Sequence, residues 1–172
     1  METALNRRDL LKFFSAAAFV NLQLPAAEPG KPLFFTKDEF AALDCLTDLV
    51  IPTDEHSPGA HEAGVAPFID KTVAEAFRAE EKDSWRNGLA AVNDLSQSTY
   101  GVPFLKATTE QRTALLGQMA KNEKQPKTAP ERFFTQLKQT TAAVYYSSST
   151  GIHQDINYKG NIILEQYVGY WP

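Results

Sequence analysis

Pro52 and Pro67 divide the front of this 172-residue chain into helix, loop and helix. Proline pushes the residue before it out of the α region, so a helix running to Val50-Ile51 must stop there. A first-turn amide has no intrahelical partner to lose, so a second helix is free to open at Pro67. Thr36, followed three residues later by Glu39, spells a capping box in which each side chain satisfies a backbone donor that the helix start leaves unpaired. Phe40, Leu43, Leu46 and Val50, with Ala42 and Leu49 beside them, then recur at helical spacing and require burial. Between the prolines, residues 53–66 hold Pro58, Gly59, Gly64 and the polar groups Asp54, Glu55, His56, His61 and Glu62, with no apolar period. Connections of that length are usually functional or disordered. This one is expected to be solvated, with one carboxylate capping the helix that follows.

The helical period continues downstream. The helix from Pro67 places Phe68, Ile69, Val73, Ala76 and Phe77 on one side, and Glu80-Glu81-Lys82-Asp83 reads as a solvated break. Ser84 is an N-cap candidate for a helix bearing Trp85, Leu89, Val92 and Leu95. Ser96 to Pro103 reads as a loop that turns the chain back at Phe104. Thr108 with Gln111 makes a second capping box, for a helix through Leu115, Leu116 and Met119. The polar stretch 121–128 is a surface connection, and Pro130 begins a helix with Phe133, Phe134, Leu137, Thr141, Val144 and Tyr145. No alternating strand and no internal repeat interrupts this pattern. The predicted fold is all-α, a compact bundle of about five helices with an irregular, aromatic-rich C-terminal tail.

That tail runs from Ser147 to Pro172. It carries Ile156, a turn at Tyr158-Lys159-Gly160-Asn161, the run Ile162-Ile163-Leu164, and then Tyr167, Tyr170 and Trp171. So much aromatic surface requires cover. Either the tail folds back on its own helices, or it supplies anchors to a partner, where tyrosine and tryptophan are over-represented among hot spots.

The first 27 residues read as an address. Arg7, Arg8, Leu10, Leu11 and Lys12 precede the apolar run Phe13 to Val20, which is short for a bilayer span and has the order of a secretory signal. Adjacent arginines followed by Leu-Leu-Lys resemble the twin-arginine export motif, with Asn6 where Ser or Thr is commoner. Twin-arginine export carries folded passengers, and the expected destination is the periplasm. Cleavage after Ala26 or Ala27 is one outcome, and retention of the run as a membrane anchor is the other. Residues 28–32 form a Pro/Gly linker, and 33–172 a single domain.

Composition excludes several chemistries. A net charge of −4, with no Lys/Arg-rich run beyond the first dozen residues, gives nucleic acid no electrostatic footing. The single cysteine, Cys45, rules out an internal disulfide and any cysteine-based zinc or iron–sulfur site. It reads as a small buried hydrophobe or, alternatively, as a thiol paired with another chain. His56, His61 and the adjoining carboxylates are metal-compatible donor types, yet His61-Glu62 lacks a second histidine in helical register. No Gly-x-Ser-x-Gly elbow, phosphate-cradling glycine loop or Cys-x-x-Cys-His occurs. No catalytic, cofactor-binding or metal-binding residue is assigned. A stand-alone periplasmic protein using the 53–66 loop to hold a metal or small molecule is the alternative to a partner-binding role.

Phe35-Thr36-x-x-Glu39, Ile51-Pro52-x-Asp54 and Pro58-Gly59-Ala60-x-x-Ala63-Gly64-Val65-x-x-Phe68-Ile69-Asp70 resemble the gluconate 2-dehydrogenase subunit 3 family. The likeness continues through Tyr100-Gly101-x-Pro103-Phe104, Gln111-Arg112, Phe133-Phe134-x-x-Leu137 and the Tyr158 to Asn161 turn. This resemblance implies a small, non-catalytic subunit of a periplasmic FAD-dependent sugar or alcohol dehydrogenase. The large partner subunit would hold the FAD, and the small subunit's leader would carry the folded pair across the membrane. A multihaem cytochrome c subunit is a further implied partner, and membrane contact would come only through the leader or the complex. On that reading the contact surface comprises the 53–66 loop, with Asp54, His56 and His61, and the tail, with Tyr158, Tyr167, Tyr170 and Trp171.

Overall fold

Three capping boxes start three of the helices. Thr36 Oγ1 accepts from the Glu39 amide at 3.2 Å while Glu39 Oε2 accepts from the Thr36 amide at 2.8 Å. Thr108 and Gln111 exchange the same pair of bonds at 3.3 and 2.9 Å. The third box, Thr128 with Glu131, opens the last long helix. The computed structural model describes residues 31–156 and 158; residues 1–30, 157 and 159–172, with the expected export signal among them, lie outside them. Its helices are α1 (Lys37–Val50), α2 (Val65–Glu75), α3 (Ala79–Tyr100), α4 (Thr109–Ala120) and α5 (Ala129–Ser147). A 3₁₀ turn at Phe104–Lys106 and a π-helical turn at Gly151–Asp155 complete the order, and no strand occurs among the described residues. The all-α, five-helix expectation is met.

Helix α5 is the central element. It packs against each of the other four long helices and against the π-helical turn. Its face of Phe133, Phe134, Leu137, Thr141 and Tyr145 is buried against Leu43 and Leu46 of α1, Ile69 and Val73 of α2, Trp85, Leu89 and Val92 of α3, and Leu115 and Met119 of α4. The tightest approach is to α3. A Cβ on Gly88 would stand 1.9 Å from Phe133 Cδ2, so the absence of a side chain at 88 is what lets the Phe133 ring lie against α3. That ring meets Trp85 edge-on, with centroids 5.7 Å apart and planes at 89°.

Several boundaries and faces differ from expectation. Helix α2 begins at Val65 rather than Pro67, because Gly64 takes the left-handed conformation (φ 70°) and serves as N-cap without any side-chain bond. Its buried arc is Val65, Ala66, Ile69, Asp70 and Val73, which turns Phe68 outward. Phe77 is fully exposed as well, since the helix stops at Glu75 and Ala76 leaves the α region. Helix α3 starts at Ala79 and runs through Ser96 to Tyr100, so the run 80–83 belongs to its opening turns rather than a break, and Ser84 lies inside it. The loop expected from Ser96 to Pro103 is confined to residues 101–103, where Gly101 takes the left-handed conformation. Glu80 and Glu81 suit that position, where carboxylates face the positive end of the helix dipole.

Glu131 does more than close its box. Its carboxylate accepts from the amides of Thr128 (2.9 Å) and Lys127 (2.7 Å) and from Asn122 Nδ2 (2.7 Å), gathering the 121–128 connection onto α5. Those donors, the two amides first, hold its pKa at about 2, below the ordinary 4.5. The charged form is favoured by folding, so its contribution is present above about pH 4.5 and fades as the pH falls toward 2.

Two tests follow from this packing. Gly88→Ala should lower stability by about 1–3 kcal/mol through overpacking against Phe133, measured by urea unfolding, with the near-UV signal of Trp85 altered. Glu131→Gln should flatten the fall in melting temperature between pH 5 and pH 2.5 that the wild type shows; an unchanged slope would assign that acid sensitivity elsewhere.

Candidate functional site

The 53–66 segment has no apolar period, yet it is tightly fastened. Asp54 Oδ1 accepts from the amides of His56 and Ser57, both at 2.8 Å, and those two donors lower the Asp54 pKa. The Asp54 amide donates to Ser57 O at 3.1 Å, closing the turn. Ala60 N donates back to Ile51 O at 2.8 Å, so the loop returns to the end of α1. At that crossing Gly59 has no room for a side chain: a Cβ there would lie 2.5 Å from Thr53 N and 2.8 Å from Ile51 O. Glu62 ties the same corner, accepting from Thr53 Oγ1 at 2.7 Å and from Gly59 N at 3.2 Å. The expected carboxylate cap on the next helix is therefore absent, because Glu62 binds inside the loop and Gly64 opens α2.

Tyr145 of α5 locks this loop to the core. Its ring is fully buried, and its hydroxyl donates to Pro58 O at 2.7 Å and lies 3.2 Å from Ser57 Oγ. The carbonyl of the same residue accepts from Ser148 Oγ at 2.6 Å, and Ser148 Oγ accepts from Gly151 N at 3.0 Å. A Cβ at Gly151 would stand 2.2 Å from Tyr145 O, so the π-helical turn is pressed against this residue's main chain. One residue thus holds the loop by its side chain and the exit toward the C-terminal tail by its carbonyl. Sequence reading placed Tyr145 in the core and missed its hydroxyl, whose partners lie 87 and 88 residues away.

The candidate contact residues sit on the outside of this arrangement. Asp54, His56, His61 and Tyr158 are exposed. His61 Nδ1 lies 2.8 Å from Asp44 Oδ2 of α1; that bond, with Asp48 and Glu62 nearby, raises the imidazole pKa above 6.5. His56 pairs loosely with Glu55 at 3.3 Å. Among the described residues no group of three or more His, Cys, Asp or Glu side chains is placed to share a metal ion. Tyr158 joins the π-helical turn through its amide, 2.9 Å from Ile152 O, and through its carbonyl, 3.2 Å from His153 Nδ1. Tyr167, Tyr170, Trp171, and the residues expected to form the export signal, Arg7, Arg8, Leu10, Leu11 and Lys12, lie outside the described residues.

Three further features were not legible beforehand. Asp70, 3% exposed, accepts from the successive amides of Leu33 (2.5 Å), Phe34 (3.0 Å) and Phe35 (3.0 Å), holding the strap 33–35 against α2. Cys45 is half-buried rather than wholly buried, and its sulfur lies 3.3 Å from Arg112 Nη1. A cleft of about 450 Å³ opens beside α1, α3 and the 3₁₀ turn, lined by Asp38, Ala42, Leu89, Asn93, Phe104 and Lys106 among others, with no residue of the 53–66 loop on its walls.

The profile of the family described as Gluconate 2-dehydrogenase subunit 3 matches residues 37–161. No curated protein matches the chain, and no solved structure matches it. The matched span includes the loop, Tyr145 and the π-helical turn.

Tyr145→Phe should cost about 1–2 kcal/mol, because Pro58 O loses a buried donor. Hydrogen exchange should locate the effect: faster exchange at Ala60 and Gly59, with the amides of α4 unaffected at equal distance from the melting temperature. Uniform acceleration would remove Tyr145 as the loop's specific fastener.

Proposed function

The chain belongs to the gluconate 2-dehydrogenase subunit 3 family, and from that premise we propose that it is the small accessory subunit of a FAD-dependent dehydrogenase. It binds the large flavin-bearing subunit, supports that subunit's maturation and accompanies it through the twin-arginine route to the periplasm. Sugars and alcohols are the substrate class, and their chemistry belongs to the partner. Family membership carries this reading. It is supported by a loop whose backbone is fixed by Tyr145, Glu62 and Gly59 while Asp54, Glu55, His56 and His61 are exposed. Such a surface loses little conformational freedom on association, which is how preorganisation favours binding.

The tail belongs to the same contact. Its root at the π-helical turn and the loop share Tyr145, so a partner covering one is expected to meet the other. Tyr158 begins this surface, and Tyr167, Tyr170 and Trp171 would extend it. A multihaem cytochrome c subunit would receive electrons from the flavin subunit without any group of this chain taking part.

Purification of the full chain from its native cells tests the reading. A large co-purifying protein with flavin absorbance is expected in the periplasmic fraction. Replacing Arg7 and Arg8 together by lysine should strand both proteins in the cytoplasm, because the paired arginines are the address. A lone, colourless protein, or a partner that still reaches the periplasm with the lysine pair, would overturn it.

A further inference from the structure

The cleft beside α1 is fixed on every side. Leu89 and Val92 of α3 and Phe104 of the 3₁₀ turn, each at most 5% exposed, lie on its lining with the half-buried Ala42 of α1. The 3₁₀ turn is held from both ends. Arg112 donates to Phe104 O at 3.1 Å and to Leu105 O at 2.6 Å, while Asn93 Oδ1 accepts from the Phe104 amide at 3.2 Å. Ser96 Oγ donates to Val102 O at 2.9 Å, just before the turn. A preformed, largely apolar space of about 450 Å³ has the size and character of a binding cleft. An apolar group entering it releases water from an apolar lining, which favours association.

Charge around the cleft decides what kind of apolar group fits. Asp38 and Glu39 line it from α1 and Lys106 from the 3₁₀ turn. Glu39 is already engaged, by the Thr36 amide at 2.8 Å and by Arg86 at 4.0 Å. Asp38 is exposed and joins no ion pair among the described residues, so it is the carboxylate open to an incoming cation. From Asp38 the acid continues along α1: Ala41, Asp44 and Asp48 follow at spacings of three and four, and Asp44 meets His61 of the loop at 2.8 Å. Residues 37–62 hold seven carboxylates against one lysine, more net acid than the −4 of the whole chain. The acidic face therefore joins the cleft to the 53–66 loop.

We propose that the cleft seats a basic, apolar-centred segment of the flavin-bearing subunit. A bulky apolar side chain of that segment occupies the space over Leu89 and Phe104, and a flanking lysine or arginine lies against Asp38 and the acidic face of α1. This rests on the accessory-subunit reading and adds a second contact to the one made by the loop. An acidic segment would set carboxylate against carboxylate there, and like charges across an interface are costly. Opposite charge speeds the encounter, and the buried anchor sets the lifetime of the complex.

The test uses the full chain and the flavin-bearing protein that accompanies it. Ala42→Trp fills the cleft. Ala90→Arg, at an exposed position on the lining, crowds it and repels a basic segment; Ala114→Arg, exposed on α4 and off the lining, is the control. Each of the first two should weaken the complex by about tenfold or more, the scale of one buried anchor, while Ala114→Arg should not. Raising the salt concentration should slow association. Should Ala42→Trp fail to fold, Ala90→Arg still decides. Undiminished affinity in Ala90→Arg, or association indifferent to salt, would overturn the proposal. The isolated subunit is also titrated with a capped Lys-Leu-Phe-Lys peptide and its Glu-Leu-Phe-Glu counterpart, read by amide chemical shifts. Shifts centred on Ala42, Ala90 and Phe104, several-fold weaker for the acidic peptide, are expected; scattered shifts, or equal response to both peptides, would overturn the chemistry assigned to the cleft. If no flavoprotein accompanies the chain, the accessory-subunit reading falls and the assigned partner with it, and the peptide titration still decides whether the cleft takes a basic apolar segment.

Discussion

An irregular segment can lie against a helical core only if its backbone polar groups find partners there. In this protein one carboxylate meets that requirement for the three amides of residues 33–35. Asp70 gathers three consecutive amides, and by doing so it sets where the chain enters α1, how α2 is rotated, and which aromatic rings reach Trp85. The outward position of Phe68 is a consequence, because burying Asp70 on α2 swings the helix's apolar arc away from it. A residue that looks like surface charge in the sequence is one of the least exposed polar groups of the fold.

The 53–66 loop is held by the same kind of device, used several times over. Asp54, Glu62 and the Tyr145 hydroxyl each take backbone donors or supply one to a backbone carbonyl, while Gly59 allows main chain to cross main chain. The result is a segment without helix or strand whose geometry is nonetheless specified. Length alone suggested either function or disorder, and the hydrogen bonds decide for order.

What was legible in the sequence was local. Capping boxes at Thr36/Glu39 and Thr108/Gln111 need only a spacing of three, and the core faces of α1, α3, α4 and α5 follow from one period. The third box was hidden because Pro130 offered a competing start, whereas the helix begins at Ala129 with the proline inside its first turn. The charged run at 80–83 misled for a related reason: acids are expected both in a solvated break and in a helix's first turn, and composition does not separate the two. Asp70 and Tyr145 were illegible as fasteners because their partners stand far away in sequence, and a carboxylate or hydroxyl carries no periodic mark of what it will bind. The family resemblance was legible in the Ile-Pro-x-Asp and Pro-Gly-Ala pieces, and these prove to be the loop's own bonded turn and crossing point.

Tyr145 also defines a path for mechanical load. Tension applied beyond Tyr158 would pass through its amide to Ile152, through the π-helical turn to Ser148, and so to the Tyr145 carbonyl. From there the hydroxyl of the buried ring, on the helix that also packs against the other four, connects to Pro58 O in the loop. Tyr158 and the 53–66 loop are in this sense joined in series through a single tyrosine.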